Sequence, residues 1–125
     1  MNIILDTHVL IWALENNPTL SGIARDSITH ARNMVFVSSA SVWEISIKKK
    51  LGKLTCPDNL HEEIKLHRFT PLYIQHDHAE LAGNLPNFHK DPFDRMLIAQ
   101  AIIENLTLVT RDDFIIKYDV TTLKA

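Results

Sequence analysis

The sequence predicts an α/β fold, a three-layer α/β/α sandwich around a central, mainly parallel sheet. Short apolar runs of strand length alternate with longer segments of helical periodicity along the chain. That alternation implies right-handed crossovers and a sheet covered on both faces. Residues 92–104 are apolar on nearly every side of a helix, which puts that helix inside a layered core. The 125 residues suit one domain spanning 1–125. Three Gly and five Pro are spread thinly, with no repeat, low-complexity tract or linker.

Each element has its own signal. Residues 2–5 read as a buried strand, followed by a helix from His8 to Glu15 that Asn16-Asn17-Pro18 ends. A second helix is expected from Ser21, as N-cap, to Arg32. Met34–Val37 is β-branched and aromatic, hence a strand. Ser38-Ser39 opens a helix over 40–50, with Gly52 as its stop, and Pro57-Asp58 introduces another reaching Leu66. Residues 69–74 form a weak strand that Pro71 confines to a sheet edge. His76–Leu85 reads as a helix with Asp77 and Glu80 spaced as a capping box, and His76 and His78 are expected on its surface. Asp91-Pro92 starts the long apolar helix, Leu106–Thr110 is a strand, 112–117 a short helix and 120–123 a last edge strand.

Composition narrows the function. Lys plus Arg is 13 against 15 for Asp plus Glu, a net charge of −2, which excludes a strongly basic nucleic-acid coat while leaving room for a basic rim beside an acidic site. With 46% hydrophobic and 22% charged residues the chain is of ordinary globular type. Cys56 is the only cysteine, so disulfide frameworks and cysteine zinc sites are excluded. The apolar N-terminal run carries Asp6 and His8 and is too short to span a bilayer. A cytosolic chain is expected.

In a parallel α/β sheet, strand C-termini and helix N-termini share one edge, and ligands bind there. Asp6 ends the first strand, Asp91 and Asp94 begin the apolar helix, Asp112 and Asp113 follow the strand 106–110, and Glu44 lies one turn into the helix after strand 34–37. All six carboxylates are therefore expected at that edge, where a divalent cation would offset their repulsion. Each also has a structural alternative. Asp6, Asp91 and Asp112 are candidate helix caps, Asp94 a capping-box acid, Asp113 a solvated first-turn acid, and Glu44 with Lys48 an i,i+4 surface pair. Lys48-Lys49-Lys50 and Lys53 form a basic run that is either a solvated face or a phosphate rim, and Arg95 and Arg111 adjoin the acids. Trp12 and Trp43 are expected as core or interface anchors.

The ordered motifs Leu5-Asp6-Thr7-His8, Ser38-Ser39-Ala40-Ser41-Val42-Trp43-Glu44-Ile45, Lys49-Lys50-Leu51-Gly52-Lys53-Leu54, Asp91-Pro92-Phe93-Asp94-Arg95 and Leu108-Val109-Thr110-Arg111-Asp112 resemble those of a PIN domain, specifically a VapC-type toxin of a bacterial toxin–antitoxin pair. The resemblance spans essentially the whole chain. It implies a metal-dependent endoribonuclease in which Asp6, Glu44 and Asp94 are the main acids and Asp112 the fourth, with Asp91 and Asp113 as the other carboxylates available for that place. Thr7 would position a carboxylate or water, and Lys48, Arg95 and Arg111 would form a substrate rim. Mg²⁺ or Mn²⁺ suits hard carboxylate oxygens, and a metal-activated water would leave a 5′-phosphate. The resemblance further implies a cognate antitoxin, an RNA substrate and a homodimer. The alternative is a catalytically silent PIN-like binding or scaffolding module. A haloacid-dehalogenase-like phosphatase would need a second Asp where His8 stands.

Overall fold

The computed structural model describes residues 1–125. Its elements, in chain order, are β1 (Asn2–Leu5), α1 (Thr7–Leu14), α2 (Gly22–Thr29), β2 (Met34–Ser38), α3 (Ser39–Lys50), α4 (Leu60–Leu66), β3 (Thr70–Leu72), α5 (His76–Asn84), α6 (Pro92–Glu104), β4 (Thr107–Thr110) and β5 (Thr122–Lys124). The five strands form one sheet in the order β3-β2-β1-β4-β5. Every pairing is parallel, with Ile3 opposite Val35 on one side and Thr107 on the other.

Side-chain alternation along the strands divides the core in two. Ile3 and Leu5 of β1, Val35 and Val37 of β2 and Val109 of β4 face one layer, where they pack with Val9 and Leu10 of α1, Ala24 and Ile28 of α2, Ile45 of α3 and Ile64 of α4. Ile4 and Leu108 face the other, against Leu97, Ile98 and Ala101 of α6 and Ile115. Two apolar faces on the same strands are what a sheet sandwiched between helices requires, and they account for the unbroken apolar runs in the sequence.

The helix termini follow the local chemistry. Asp6 caps α1 by accepting from Val9 N–H, Ser21 caps α2 through Ala24 N–H, and Ser38 caps α3 through Ala40 N–H. Asp91 caps α6 through the N–H groups of Phe93 and Asp94, with Pro92 in the first turn. Gly52, at φ 72°, supplies the left-handed turn that ends the α3 segment. No helix is long and apolar enough to cross a membrane.

Several expectations are corrected. The α5 capping box is formed by Gln75 and His78, not Asp77 and Glu80. His78 is fully buried rather than on the surface. Its Nδ1 accepts from Gln75 N–H at 3.0 Å while Nε2 lies 3.0 Å from Glu104 Oε1 on α6, so two polar bonds replace the water it loses. Pro57-Asp58 stays a turn and α4 begins only at Leu60. The short helix after β4 shrinks to a single 3₁₀ turn, Ile115–Lys117, and the last strand falls at Thr122–Lys124.

Leu97 is fully enclosed and Leu66 is 74% exposed. Leu97→Ala is therefore expected to lower stability by about 3 kcal/mol and Leu66→Ala by less than about 0.5 kcal/mol, read from urea unfolding curves.

Candidate active site

The chain runs outward from β1 to β2 and β3, then returns to place β4 on the other side of β1. The β1/β4 junction is therefore the topological switch point, where loops leave in opposite directions and open a crevice beyond the strand ends. A groove of about 460 Å³ occupies that position, lined by Asp6, Thr7, His8, Trp12, Glu44, Lys48, His89, Asp91, Asp94, Arg111 and Asp112. Five of the six carboxylates expected at this edge line it. Asp113 does not; it lies exposed beside the groove-lining Asp112.

The acids are held by their own backbone. Asp6 is buried, and its Oδ1 accepts from Val9 N–H at 2.9 Å. Burial pushes its carboxyl above the usual range, while the Thr110 hydroxyl and Val9 N–H pull it back. Asp91 Oδ1 accepts from Phe93 and Asp94 N–H at 2.9 and 3.1 Å. Asp112 Oδ1 accepts from Phe114 N–H at 2.8 Å. Each of these Asp residues thus commits one oxygen to a turn or helix start.

Glu44 differs. It is only 4% exposed, and both its oxygens are engaged, Oε1 with the Thr7 hydroxyl and Oε2 with Lys48 Nζ, each at 2.6 Å. The Thr7 hydroxyl also pairs with that of Ser41 at 3.2 Å. The i,i+4 contact with Lys48 forms, but inside the groove wall rather than on a solvated face. Lys48 is held more firmly protonated by that bond to Glu44. Of the rest of the basic run, Lys49 turns to Asp58 at 2.7 Å and Lys50 is exposed.

Asp94, in the first turn of α6, is pushed up from 3.8 to about 7, by burial first and then by the Asp91 carboxylate, with His89 pulling the other way. Its partner is His89, a residue the sequence reading passed over. His89 Nε2 lies 2.8 Å from Asp94 Oδ2 and 3.3 Å from Asp112 Oδ2. One ligand atom each from His89, Asp94 and Asp112 falls within 4.8 Å of the others, a grouping that could hold a metal ion. Proximity of His89 to Asp91-Pro92-Phe93-Asp94 in the sequence was the one available signal, and no helical spacing supports it because His89 lies on a loop.

Two expected rim residues are otherwise engaged. Arg95 does not line the groove. Its guanidinium donates to the carbonyls of Ala82, Leu85, Pro86 and His89 at 2.8–3.1 Å, clamping the loop between α5 and α6. Arg111 does line it, but donates to the carbonyls of Thr19 and Ala125 and lies 4.6 Å from the centre of the Trp12 ring. Trp12 is accordingly a half-buried groove residue. Trp43 is 60% exposed, edge-on to Phe93 at 5.3 Å.

The sequence profile of the PIN domain matches residues 3–120. The chain belongs to the PIN domain family. Ribonuclease VapC22 of Mycobacterium tuberculosis is 30% identical over 118 residues, covering 88% of this chain and 86% of the relative, and makes this a VapC-type PIN domain. Solved VapBC structures share its fold. VapBC2 from Rickettsia felis, bound to a DNA fragment from its promoter, superposes with a TM-score of 0.73 at 18% identity, over 99% of this chain and 98% of that one. VapBC-1 from nontypeable Haemophilus influenzae gives 0.69 at 19% identity, again over 99% and 98%. The five-stranded parallel sheet with helices on both faces is thus the PIN fold.

An acid whose pKa is higher folded than unfolded keeps a proton that the unfolded chain has lost, so in this PIN domain the Asp94 contribution weakens stability as pH rises from about 4 through about 7. In EDTA, Asp94→Asn is expected to raise Tm by about 5 °C or more at pH 8, a gain that vanishes by about pH 4 in a thermal-melt series.

Proposed function

We propose that this protein is the toxin of a toxin–antitoxin pair, an endoribonuclease that cuts RNA with the help of Mg²⁺ or Mn²⁺. The observation that carries this reading is the crevice itself. Asp6, Asp91, Asp94 and Asp112 converge there, with Lys48 bonded to Glu44 and Arg111 turned to backbone carbonyls as the cations of the wall. Asp94 is raised to about 7, by burial first and by the neighbouring Asp91 carboxylate second. A hard divalent cation fits that oxygen-rich donor set, and none of the residues lining the groove is a cysteine.

Asp94, Asp112 and Asp6 would hold the ion through their carboxylate oxygens. When bound, such an ion lowers the pKa of a water and stabilises charge on phosphoryl oxygens. The chain's own residues do the rest. Asp6 and Asp94 sit at the first turns of α1 and α6, whose fixed backbone positions leave little to reorganise during reaction. Glu44, locked between Thr7 and Lys48, remains in the proposed acid set and holds the Lys48 ammonium at the rim, where it meets a substrate phosphate. No side-chain nucleophile is required, so water attack would leave a 5′-phosphate.

The partner assignment is drawn from the relatives. A toxin–antitoxin complex from Klebsiella pneumoniae is among the solved structures that share this fold. By analogy this chain would be a homodimer inhibited by a cognate antitoxin that reaches the acidic crevice, where a basic side chain would satisfy the carboxylates a cation otherwise serves.

Purified protein incubated with a structured RNA should cut it in Mn²⁺ or Mg²⁺ and not in EDTA. Asp6→Asn and Asp94→Asn should each reduce cleavage by about 100-fold or more. Cutting that persists in EDTA, or in both variants, would overturn the assignment.

A further inference from the structure

We propose that His89 is itself a ligand of the divalent cation, its Nε2 joining one oxygen each of Asp94 and Asp112, and that this nitrogen biases the crevice toward Mn²⁺ over Mg²⁺. The inference rests on the metal-dependent nuclease reading and narrows the cation it uses.

The placement of the ring is over-determined. The His89 backbone N–H donates to the Tyr118 hydroxyl at 2.9 Å, and its carbonyl accepts from Arg95 Nη1 at 3.1 Å. Tyr118 is anchored in turn, donating to the Pro86 carbonyl at 2.6 Å. The imidazole stacks on Phe114, with centres 5.2 Å apart and planes 16° from parallel. A histidine needed only to neutralise nearby acids would serve from several rotamers. Here both backbone groups and the ring plane are fixed, and the side chain is 16% exposed.

The spacing suits coordination. Ligands on adjacent corners of an octahedral shell at about 2.1 Å lie about 3 Å apart. Nε2 lies 2.8 Å from Asp94 Oδ2 and 3.3 Å from Asp112 Oδ2. Glu44 offers less, because both its oxygens are occupied. The chemistry then separates the ions. Mg²⁺ prefers oxygen and retains its water, whereas Mn²⁺, a first-row transition ion, takes the same carboxylates and tolerates an imidazole nitrogen better.

Pulsed EPR on the full chain loaded with Mn²⁺ tests this directly, without reference to RNA cleavage. Wild type should give the nitrogen modulation of a directly bound imidazole. His8→Gln, which removes the other histidine lining the groove, should keep it. His89→Gln should lose it, with Mn²⁺ affinity falling roughly tenfold and Mg²⁺ affinity, measured by competition, changing far less. Bound Mn²⁺ without nitrogen modulation in wild type would overturn the ligand role while leaving the nuclease reading intact, and so would modulation that His8→Gln abolishes or His89→Gln preserves. Failure of the wild type to bind Mn²⁺ at all would overturn both. Wild type and His8→Gln together decide the matter even if His89→Gln does not fold.

Discussion

The constraint on which this molecule turns is the capping of backbone by acids at one edge of the sheet. Asp6 and Asp91 open α1 and α6, and Asp112 opens the turn after β4, each by accepting backbone N–H donors that would otherwise go without partners. That role fixes the carboxylates within a groove where they repel one another, and where helix N-termini make negative charge tolerable. Removing the acids would free the helix starts, and keeping them leaves a crevice short of positive charge. Stability and chemistry are tied to the same side chains.

Much of this was legible in the sequence because it depends on short-range pattern. The alternation of apolar runs with helical segments identified the parallel sheet, and the two apolar faces of β1 explain why Ile3, Ile4 and Leu5 read as one run. Asp-Pro at 91–92 and Ser21 announced their caps, and Pro71 does lie on an edge strand. The convergence of Asp6, Glu44, Asp91, Asp94 and Asp112 followed from the rule that strand ends and helix starts share an edge.

What was not legible depends on side chains meeting across the fold. His89 sits on a loop with no periodicity, and its importance comes from Phe114, Tyr118 and Arg95, all placed by tertiary packing. Arg95 looked like a rim residue because it neighbours Asp94, yet one residue along a helix turns a side chain by about 100°, and its guanidinium finds loop carbonyls instead. His78 looked exposed for a related reason. A polar residue in the first turn of α5 carries no sequence signal that Glu104, 26 positions later, will receive its ring.

The order of the strands has a consequence for how the chain is made. β1 leaves the ribosome before the other four strands of its sheet, yet it forms the middle of that sheet and needs β4, which begins at Thr107, to complete its pairing. Asp6 emerges early and waits for Asp112, more than a hundred residues behind it, before the two can line one groove. Contacts so distant in sequence close late, and domains fold largely as units during synthesis. A nascent chain therefore carries Asp6 with no crevice around it, so whatever chemistry the finished groove performs is withheld from the translating ribosome until β4 and Asp112 have emerged.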